Sequence, residues 1–275
     1  MSTTVREVNR LVRSGTNSTD ELAAIIATDP MMAATVLRRV NSAFYGMRRQ
    51  VSDLKKAVFL LGFEVVSNLV LTASFLRLAD MVSSRAARQL FADLMQLSLG
   101  SAMYGHLIAQ ELELRDPASA YSAGLMHTCG RVVMLFNFGD EYTKMCRPGT
   151  AKPFPDASME RSVIGIDHAV ASGLAMTEWQ MPDELVQVVS CLEAPGRLED
   201  IELRETALCV SVGVSATFQL CLQNAPNLAF EAKAALHVLS RLHGKQATAI
   251  AARISEERKA INDQISLLAG DLSLA

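Results

Sequence analysis

At 275 residues, half of them apolar and only 5% aromatic, the chain is long enough for one large core or two fused smaller ones. A net charge of −3 without a long Lys/Arg run offers no obvious source of phosphate neutralisation, so we expect no direct nucleic-acid binding. Because the sequence shows neither a signal peptide nor a run of about 18 apolar residues, it predicts a cytoplasmic protein with no membrane partner.

The five cysteines are scattered along the chain and form no CxxC pair. An odd number without paired spacing argues against both a disulfide framework and a zinc knuckle. We therefore expect reduced thiols, as is usual in the cytoplasm. The cysteines are Cys129, Cys146, Cys191, Cys209 and Cys221.

Two helix starts stand near the N-terminus. Ser18 and Glu21 have the spacing of a capping box, in which the hydroxyl and the carboxylate each satisfy a free backbone N–H, and this predicts a helix over 19–27. Asp29 followed by Pro30 supplies a cap and then a proline at the first helical position, where its missing N–H costs nothing. A second short helix follows, because apolar residues continue at helical spacing.

The next boundaries are marked by residues that interrupt helical periodicity. The second helix ends near Asn41, and Gly46 offers a terminator for the turn that follows. Ser52 is placed to cap a further helix that Gly62 ends, and another helix is predicted over 63–78. These elements predict a bundle of short helices joined by tight turns.

We divide the chain into two lobes on this basis. Residues 1–80 are predicted to form the bundle of about five short helices, and residues 81–275 a second, larger helical lobe. In the second lobe, one or two long helices over 84–114 precede a helix that begins after Asp116 and Pro117.

The remainder of the second lobe is also helical by pattern. The proline-rich run 147–155 cannot continue a helix and predicts an exposed loop. Helical spacing then resumes near Asp156 and continues to Trp179, and corners follow at 181–183 and 194–196. No stretch shows the alternation typical of a strand, so the sequence predicts an all-α protein.

Three stretches carry motifs that belong together. They are DPMMAATVLRRVNSAFYG at 29–46 followed by AVFLLG at 57–62, AGLMHTCGR at 123–131, and ERSVIGIDHAVASGLAMTEWQMP at 160–182. In order and spacing they resemble the HDOD family, a bacterial signalling relative of the HD phosphohydrolases, over about residues 18–215. The resemblance implies an N-terminal bundle of short helices packed on an HD-like multi-helix core.

The resemblance also points to a pocket whose metal ligands are incomplete. HD phosphohydrolases use an adjacent His and Asp with further His and Asp ligands to bind divalent metals that activate water. His127 matches the His of that pair and His168 lies in the third motif, but Thr128 stands where the Asp belongs. The segments 96–98 and 209–212 lack the other expected ligands. We therefore expect a vestigial pocket at His127, Thr128 and His168, with no metal, no cofactor and no catalytic residue.

The two histidines leave two interpretations open. They could hold a zinc ion weakly if water or a cysteine such as Cys129 completed its coordination. We favour a structural role, in which both rings are partly buried and bonded to backbone or to neighbours such as Asp167. The other motif residues are also expected to be structural. They are Asp29, Pro30, Asn41, Ser42, Gly46, Gly62, Gly130, Trp179 and Pro182.

The incomplete ligand set predicts a non-catalytic module of bacterial signal transduction rather than an enzyme. Such a module acts through protein contacts or by sensing a ligand in the vestigial pocket. The alternative is a metal-dependent phosphodiesterase or nucleotide phosphohydrolase in which Asp140, Glu160 or Asp167 completes an atypical site.

The expected partners act in trans, because the chain shows no fused signalling domain. The resemblance suggests histidine kinases, receiver domains or cyclic-dinucleotide enzymes. The apolar stretches 236–242 and 261–274 lie beyond the strongest resemblance. They either pack back on the second lobe or form the surface of a homodimer.

Overall fold

The structure is a computed structural model. The residues that it describes are 3–16, 18–41, 50–78, 84–147, 153–222 and 230–269. Within these ranges the chain forms fifteen α-helices, one 3₁₀ turn and one π-helical segment, and no strand. The prediction of an all-α protein is therefore confirmed.

The contacts within the chain divide it into two compact units. The first unit contains residues 1–78 and also residues 179–182. The second unit contains residues 79–178 and 183–275. By its contacts, the WQMP motif therefore belongs with the N-terminal helices, although it follows them by a hundred residues in sequence.

Five α-helices form the first unit. They are α1 (Thr3–Ser14), α2 (Thr19–Ala27), α3 (Pro30–Val40), α4 (Leu54–Leu61) and α5 (Phe63–Leu76). Ser18 caps α2 as predicted, by accepting the Glu21 N–H at 3.2 Å. The predicted Ser52 cap of α4 is wrong, because Asp53 accepts the Lys56 N–H at 2.7 Å. The carboxylate of Asp53, one residue nearer the helix, occupies the capping position.

Asp29 joins two helices of the first unit. Its Oδ1 accepts the backbone N–H groups of Met31 and Met32, each at 3.1 Å, and thereby caps α3. The Arg77 guanidinium donates to both carboxylate oxygens at 2.8 and 2.9 Å. These bonds with Arg77 lower the pKa of Asp29 to about 2. Asp29 therefore fixes the start of α3, in which Pro30 is the first residue, to the end of α5.

Asn41 holds the chain between α3 and α4. Its side-chain amide donates to the Val51 carbonyl at 2.7 Å, and its amide oxygen accepts the Val51 N–H at 2.7 Å. The same amide also donates to the Leu37 carbonyl at 2.8 Å. The Asn41 side chain thus supplies the hydrogen bonds that the backbone groups of Val51 would otherwise form with another stretch of backbone. The motif residues Ser42 and Gly46 lie outside the described residues.

Three further motif residues lie at corners of the first unit. Gly62 joins α4 to α5 with a φ of 87°, a conformation that favours glycine. Trp179 is half-buried and Pro182 stands directly before the next helix. Between them, the Met181 sulfur accepts a hydrogen bond from the Asn9 side-chain amide at 2.9 Å. This bond ties the WQMP corner to α1.

Ten α-helices form the second unit. They are α6 (Arg85–Glu111), α7 (Pro117–Met126), α8 (Cys129–Met145), α9 (Ala157–Ile164), α10 (His168–Glu178), α11 (Asp183–Ser190), α12 (Ile201–Ala216), α13 (Phe230–Leu242), α14 (Ala247–Glu256) and α15 (Arg258–Ala269). The long helix α6 is central, because α7, α8, α12, α14 and α15 all pack against it. Its buried side chains are mainly apolar. The core of this unit therefore surrounds one helix.

Small residues allow the closest helix crossing in this core. A Cβ on Gly213 of α12 would lie 2.8 Å from the Gly105 backbone nitrogen and 2.8 Å from the Ser101 carbonyl oxygen of α6. Only glycine fits at such a distance from backbone atoms. The crossing brings α12 close to α6, and side chains of both helices line the cavity described below.

The helical stretch predicted from near Asp156 to Trp179 consists of two helices. The chain breaks after α9, where Gly165 adopts a left-handed conformation with a φ of 93°. Asp167 then accepts the Val170 N–H at 2.9 Å and starts α10. A glycine terminator followed by a new cap therefore separates two helices, although the apolar spacing continues through them.

The C-terminal helices bury part of their apolar surface within the second unit. Leu236 and Leu239 of α13 are buried, whereas Val238 and Leu242 are more than half exposed. Helix α13 packs against α12, and α14 and α15 pack against α6. The end of the stretch 261–274, from residue 270, lies outside the described residues.

No single helix in the described ranges is long and apolar enough to cross a membrane. Helix α4 together with α5 as far as Phe75 reaches that length and composition, but the two helices meet at an angle of 111°. Many side chains of the pair are buried, including Val58, Val66 and Val70.

Candidate functional site

A cavity of about 620 Å³ opens in the second unit. Its walls are mainly apolar, with Leu97, Phe154, Val189 and Phe218 among them. Its polar side chains include His127, Arg131, Arg147, His168, Glu193 and Ser211. A few converging polar groups in an apolar cavity of this size are typical of a small-molecule site.

His127 follows α7 and presents an uncharged ring. Its Nδ1–H donates to the Gly124 carbonyl at 2.6 Å, which leaves Nε2 as a hydrogen-bond acceptor. Nε2 is buried and has no hydrogen-bond partner among the described residues. Burial lowers the pKa of His127 to about 4, although the bond to Gly124 opposes the shift. An unmet buried acceptor costs about 1–3 kcal/mol, so a ligand atom that donates to it would be favoured.

Thr128 contributes to the helix interface rather than to a ligand set. The residue is fully buried, and its hydroxyl forms a short hydrogen bond with the buried hydroxyl of Ser98 on α6. Each hydroxyl therefore satisfies the other within the core. The two residues that take the place of expected metal ligands in the sequence are thus paired with one another.

Glu160 is the centre of a buried ionic network. The residue is fully buried. One carboxylate oxygen accepts from Arg131 Nη1 at 2.8 Å and from the Tyr142 hydroxyl at 3.3 Å. The other accepts the His168 backbone N–H at 2.8 Å and the His168 Nδ1–H at 2.5 Å. The buried charge is therefore compensated by two cations and two neutral donors.

The second ring nitrogen of His168 faces another carboxylate. Nε2 lies 3.1 Å from Glu193 Oε1. Burial by itself would lower the pKa of His168, but the hydrogen bonds to Glu160 and Glu193 raise it above its ordinary value. The hydrogen bond between His168 and Glu193 also lowers the pKa of the Glu193 carboxyl. His168 is therefore held towards its imidazolium form, in which both ring nitrogens donate.

Arg131 connects this network to the loop that precedes α9. Its Nη1 also donates to the Pro155 carbonyl at 2.9 Å, and its guanidinium carbon lies 5.5 Å from the centroid of the Phe154 ring. Its Nη2 lies 3.3 Å from His168 Nε2. The guanidinium is thus a fixed cation in the lining of the cavity, stabilised by Glu160 and by the aromatic face.

Gly130 sets the distance between α8 and α10. Its N–H donates to the Ser172 hydroxyl at 2.9 Å. A Cβ at this position would lie 2.0 Å from the His168 carbonyl oxygen, closer than atoms can approach. The absence of a side chain at Gly130 therefore allows His168 to reach Arg131 and Glu160.

The donors around the cavity do not fit the metal centre of an HD phosphohydrolase. Nε2 of His127 is a usable ligand, but both ring nitrogens of His168 face carboxylates, and the Arg131 guanidinium would repel a cation. Within the described ranges, no group of three or more His, Cys, Asp and Glu side chains could hold a metal ion. Cys129 is buried with its pKa raised to about 12, so its thiol does not readily supply a zinc ligand.

The acids considered for an atypical enzyme also have other roles. Asp167 pairs with Arg161 and caps α10, so it does not bond to either histidine ring as we had expected. Both oxygens of Glu160 are occupied by donors within the network. Asp140 is exposed on α8 and is absent from the cavity lining.

The sequence pattern located the two histidines but missed the groups that hold one of them. His127 and His168 line the same cavity, whereas Thr128 lies in the core. Neither Arg131 nor Glu193 was predicted, and Glu160 was noted only as a motif residue and a candidate acid. The third motif did contain a signal for this network. Glu160 lies in a short helix that also carries apolar residues, and a Glu that is buried there requires a cation as its partner.

A large part of the chain matches the model of one protein family. The model of the HDOD domain matches residues 1–195, which is most of the sequence. The chain belongs to the HDOD family. The His127 and His168 motifs and Gly130 lie within the matched HDOD segment, while α12 and the helices after it lie beyond it.

Solved structures share the fold of this HDOD chain. An HDOD domain protein of unknown function from Geobacter sulfurreducens superposes with a TM-score of 0.76 at 19% identity, covering 98% of this chain and 92% of that one. A protein named for signal transduction from Marinobacter aquaeolei VT8 gives 0.73 at 22% identity, covering 99% and 59%. A protein named as a phosphohydrolase from Shewanella amazonensis SB2B gives 0.71 at 18% identity, covering 99% and 94%. At these identities the likeness shows the fold alone.

A curated relative extends the family match. An uncharacterized protein of Treponema pallidum (strain Nichols) is 19% identical over 183 residues, which are 66% of this chain. The match covers 35% of that relative, so the chain spans about a third of its length.

Proposed function

We propose that this HDOD chain is a non-catalytic regulatory module of bacterial signal transduction that works in the cytoplasm. The observation that supports this best is the state of the position after His127. A metal-bridging carboxylate would be needed there, and the structure has instead the Thr128 hydroxyl, buried and paired with Ser98. The frame of the HD pocket is thus retained without the anion that its chemistry requires.

The names of the structural neighbours support both a regulatory and a hydrolytic function. The Marinobacter protein is named for signal transduction, and two Shewanella proteins are named as phosphohydrolases. All of them share less than 25% of their residues with this chain. The decision therefore depends on the side chains of this chain rather than on the names.

A phosphohydrolase with an atypical site is the second candidate, favoured by the cavity and by the His127 lone pair, which has no partner among the described residues. It would need a cation held near His127. Two nearby charged groups, Arg131 and His168, lower the pKa of His127, as cations do. A divalent metal would meet like charge there, so we favour the non-catalytic function.

Hydrolysis assays separate the two candidates. The purified chain is incubated with Mn²⁺ or Mg²⁺ and either bis(4-nitrophenyl) phosphate or a cyclic dinucleotide. We expect no turnover above that of the buffer. His106→Ala is the matched control for His127→Ala, because His106 also places Nδ1 at a backbone carbonyl, 2.9 Å from Pro117, but lies outside the cavity lining. Steady turnover that His127→Ala abolishes and His106→Ala preserves would overturn the proposal.

Metal analysis of the untreated protein provides an independent check. A phosphohydrolase of this type is expected to retain Mn, Fe or Zn in stoichiometric amounts. A regulatory module with the donor set described above is expected to retain only traces. Stoichiometric metal that is lost in His127→Ala would contradict the non-catalytic function.

We also propose that the partners are signalling proteins acting in trans, among them kinases, receiver domains or cyclic-dinucleotide enzymes. Exposed apolar side chains are available on both units, such as Phe59 on α4 and Leu174 on α10. A pull-down with mass spectrometry, repeated with Phe59→Ser and Leu174→Ser, would identify partners and the face that binds them. Sedimentation would show whether Val238 and Leu242 instead support a homodimer.

A further inference from the structure

We propose that the cavity of the second unit binds a small uncharged heterocycle that carries an N–H donor beside a C=O acceptor, as a lactam does. The N–H would donate to His127 Nε2, and the carbonyl would accept from Arg131. This inference rests on the proposed function, because a metal-bound phosphodiester would occupy the same space. It names the class of ligand that such a module would sense.

His127 selects for a donor on the ligand. Its Nδ1–H is committed to the Gly124 carbonyl at 2.6 Å, so the neutral ring cannot carry its proton on Nε2 without losing that bond. Nε2 then has a lone pair that no described side chain or backbone N–H meets. Nε2 is itself buried, so a ligand reaches it by displacing part of the cavity wall. A ligand atom that can only accept, such as an ether or carboxylate oxygen, would face this lone pair unfavourably.

Arg131 selects for an acceptor on the ligand. Its Nη1 already donates to Glu160 and to the Pro155 carbonyl, whereas the described neighbour of Nη2 is the His168 ring at 3.3 Å. If His168 is held as imidazolium, its Nε2 accepts no hydrogen bond, and Nη2 keeps hydrogens for a carbonyl oxygen. His127 and Arg131 both line the cavity and are four residues apart across the junction of α7 and α8.

The balance of charge favours an uncharged ligand. The cationic side chains in the lining are Arg131, Arg147 and His168. They are opposed by the lining carboxylates of Asp156 and Glu193 and by Glu160, which binds two of the cations from behind the cavity surface. Three positive and three negative groups leave no net formal charge to attract a phosphate or an ammonium group. The mainly apolar walls favour a ring system as the rest of the ligand.

Two small probes test the donor requirement in the unmodified protein. Quinolin-2(1H)-one has the N–H beside its carbonyl, and 1-methylquinolin-2-one differs by a methyl group on that nitrogen. We expect the first to bind at least about tenfold more tightly, because the second leaves the His127 acceptor unmet. Equal affinities, or no saturable binding of either probe up to its solubility limit, would overturn the proposal. Equal affinities would mean that water satisfies His127.

A variant separates the missing hydrogen bond from the bulk of the methyl group. In His127→Phe, which keeps a ring but has no acceptor, the two probes should bind with equal affinity. His106→Phe is the control, because it removes a similar Nδ1 contact away from the cavity and should keep the tenfold preference. A preference that survives in His127→Phe would show that the methyl group clashes elsewhere and would contradict the role of His127.

Imidazole nitrogen NMR gives a direct signature of the bond. The unprotonated Nε2 of His127 should move upfield when the N–H probe is added and should not move with the methylated probe. The histidine signal of His168 should keep its protonated position in both cases. Failure of these binding experiments would leave a module that acts through protein contacts, whereas metal-dependent turnover would remove the proposed function itself.

Discussion

His127 and His168 line one cavity, yet the first is bonded to an uncharged group and the second to charged groups. We call the first region the neutral end, formed by Ser98, His127 and Thr128, and the second the ionic end, formed by Arg131, Glu160, His168 and Glu193. At the neutral end, hydroxyls pair with each other and one ring nitrogen lacks a partner. At the ionic end, Arg131 pairs with Glu160, and His168 pairs with both Glu160 and Glu193.

This difference suggests separate roles for the two ends, ligand binding for the neutral end and support of the cavity walls for the ionic end. The ionic end joins α8, α9 and α10 through bonds between residues far apart in sequence, so its contribution is to hold the walls of the cavity. The neutral end leaves Nε2 of His127 unmet and is therefore where a ligand could gain a hydrogen bond. A pocket that has lost its metal ligands can thus keep its shape through one end and its binding capacity through the other.

The largest expected effect comes from breaking the ionic end at its centre. Glu160→Gln removes the buried anion that compensates Arg131 and His168 and should destabilise the chain by about 3–5 kcal/mol, measured by urea unfolding. The matched control is Glu193→Gln, because the Glu193 carboxylate is 58% exposed and also faces His168. That change should cost less than about 1 kcal/mol. Similar losses in the two variants would show that Glu160 is not the centre of the network.

The second largest loss of stability is expected when α8 and α10, which carry Arg131 and His168, are pushed apart. Gly130→Ala places a methyl group against the His168 carbonyl oxygen and Ser172 and should destabilise the chain by about 3 kcal/mol. Gly196→Ala is the control, since nothing lies within 4 Å of a Cβ there, and should change stability by less than about 0.5 kcal/mol. If Gly130→Ala leaves the free energy of unfolding unchanged, and NMR shows that His168 is still bonded to its carboxylates, the close packing of α8 and α10 is contradicted.

Titration sharpens the comparison, because the two rings should shift in opposite directions. His127 has its pKa lowered from 6.5 to about 4 by burial, so its stabilising contribution is fully present above pH 6.5. That contribution is lost as the pH falls towards 4, by up to roughly 3 kcal/mol. His168 has a raised pKa, so its contribution is present below pH 6.5 and is lost as the pH rises through the raised value.

The measurement is urea unfolding from pH 4 to pH 8, together with NMR titration of both rings. In His127→Phe the loss of stability at acid pH should shrink, while the loss on the alkaline side should remain. If both rings titrate near 6.5 in the folded protein, the distinction between the two ends is wrong.

Much of the fold follows from local signals that the sequence displays. Ser18 and Asp29 are short polar residues before apolar periodic segments, and each caps the predicted helix. Errors arose where two local signals competed. Ser52 and Asp53 are adjacent capping residues, and only the structure shows which one the helix uses. Gly165 was overlooked because apolar residues continue at helical spacing on both sides of it.

The site was less predictable because its bonds are not local. The motif pattern identifies His127 and His168, but the partners of His168 are at distances of 8 to 37 residues along the chain. No spacing rule predicts which buried carboxylate will meet which cation across separate helices. The missing partner of His127 Nε2 is also a property of the packed structure, since it depends on every neighbouring atom.

The smallest expected effect concerns the neutral end and Thr128, which stands where the resemblance to HD phosphohydrolases implies an Asp. Thr128→Val keeps the volume but removes the hydroxyl, so the buried Ser98 hydroxyl loses its partner and the chain should lose about 1–2 kcal/mol in urea unfolding. Adding Ser98→Ala should recover part of this loss, because no unmet polar group then remains. If Thr128 were a functional ligand, the double variant would instead lose probe binding, although its stability were restored. Retained binding with recovered stability would place Thr128 in the architecture and leave His127 as the group that recognises the ligand.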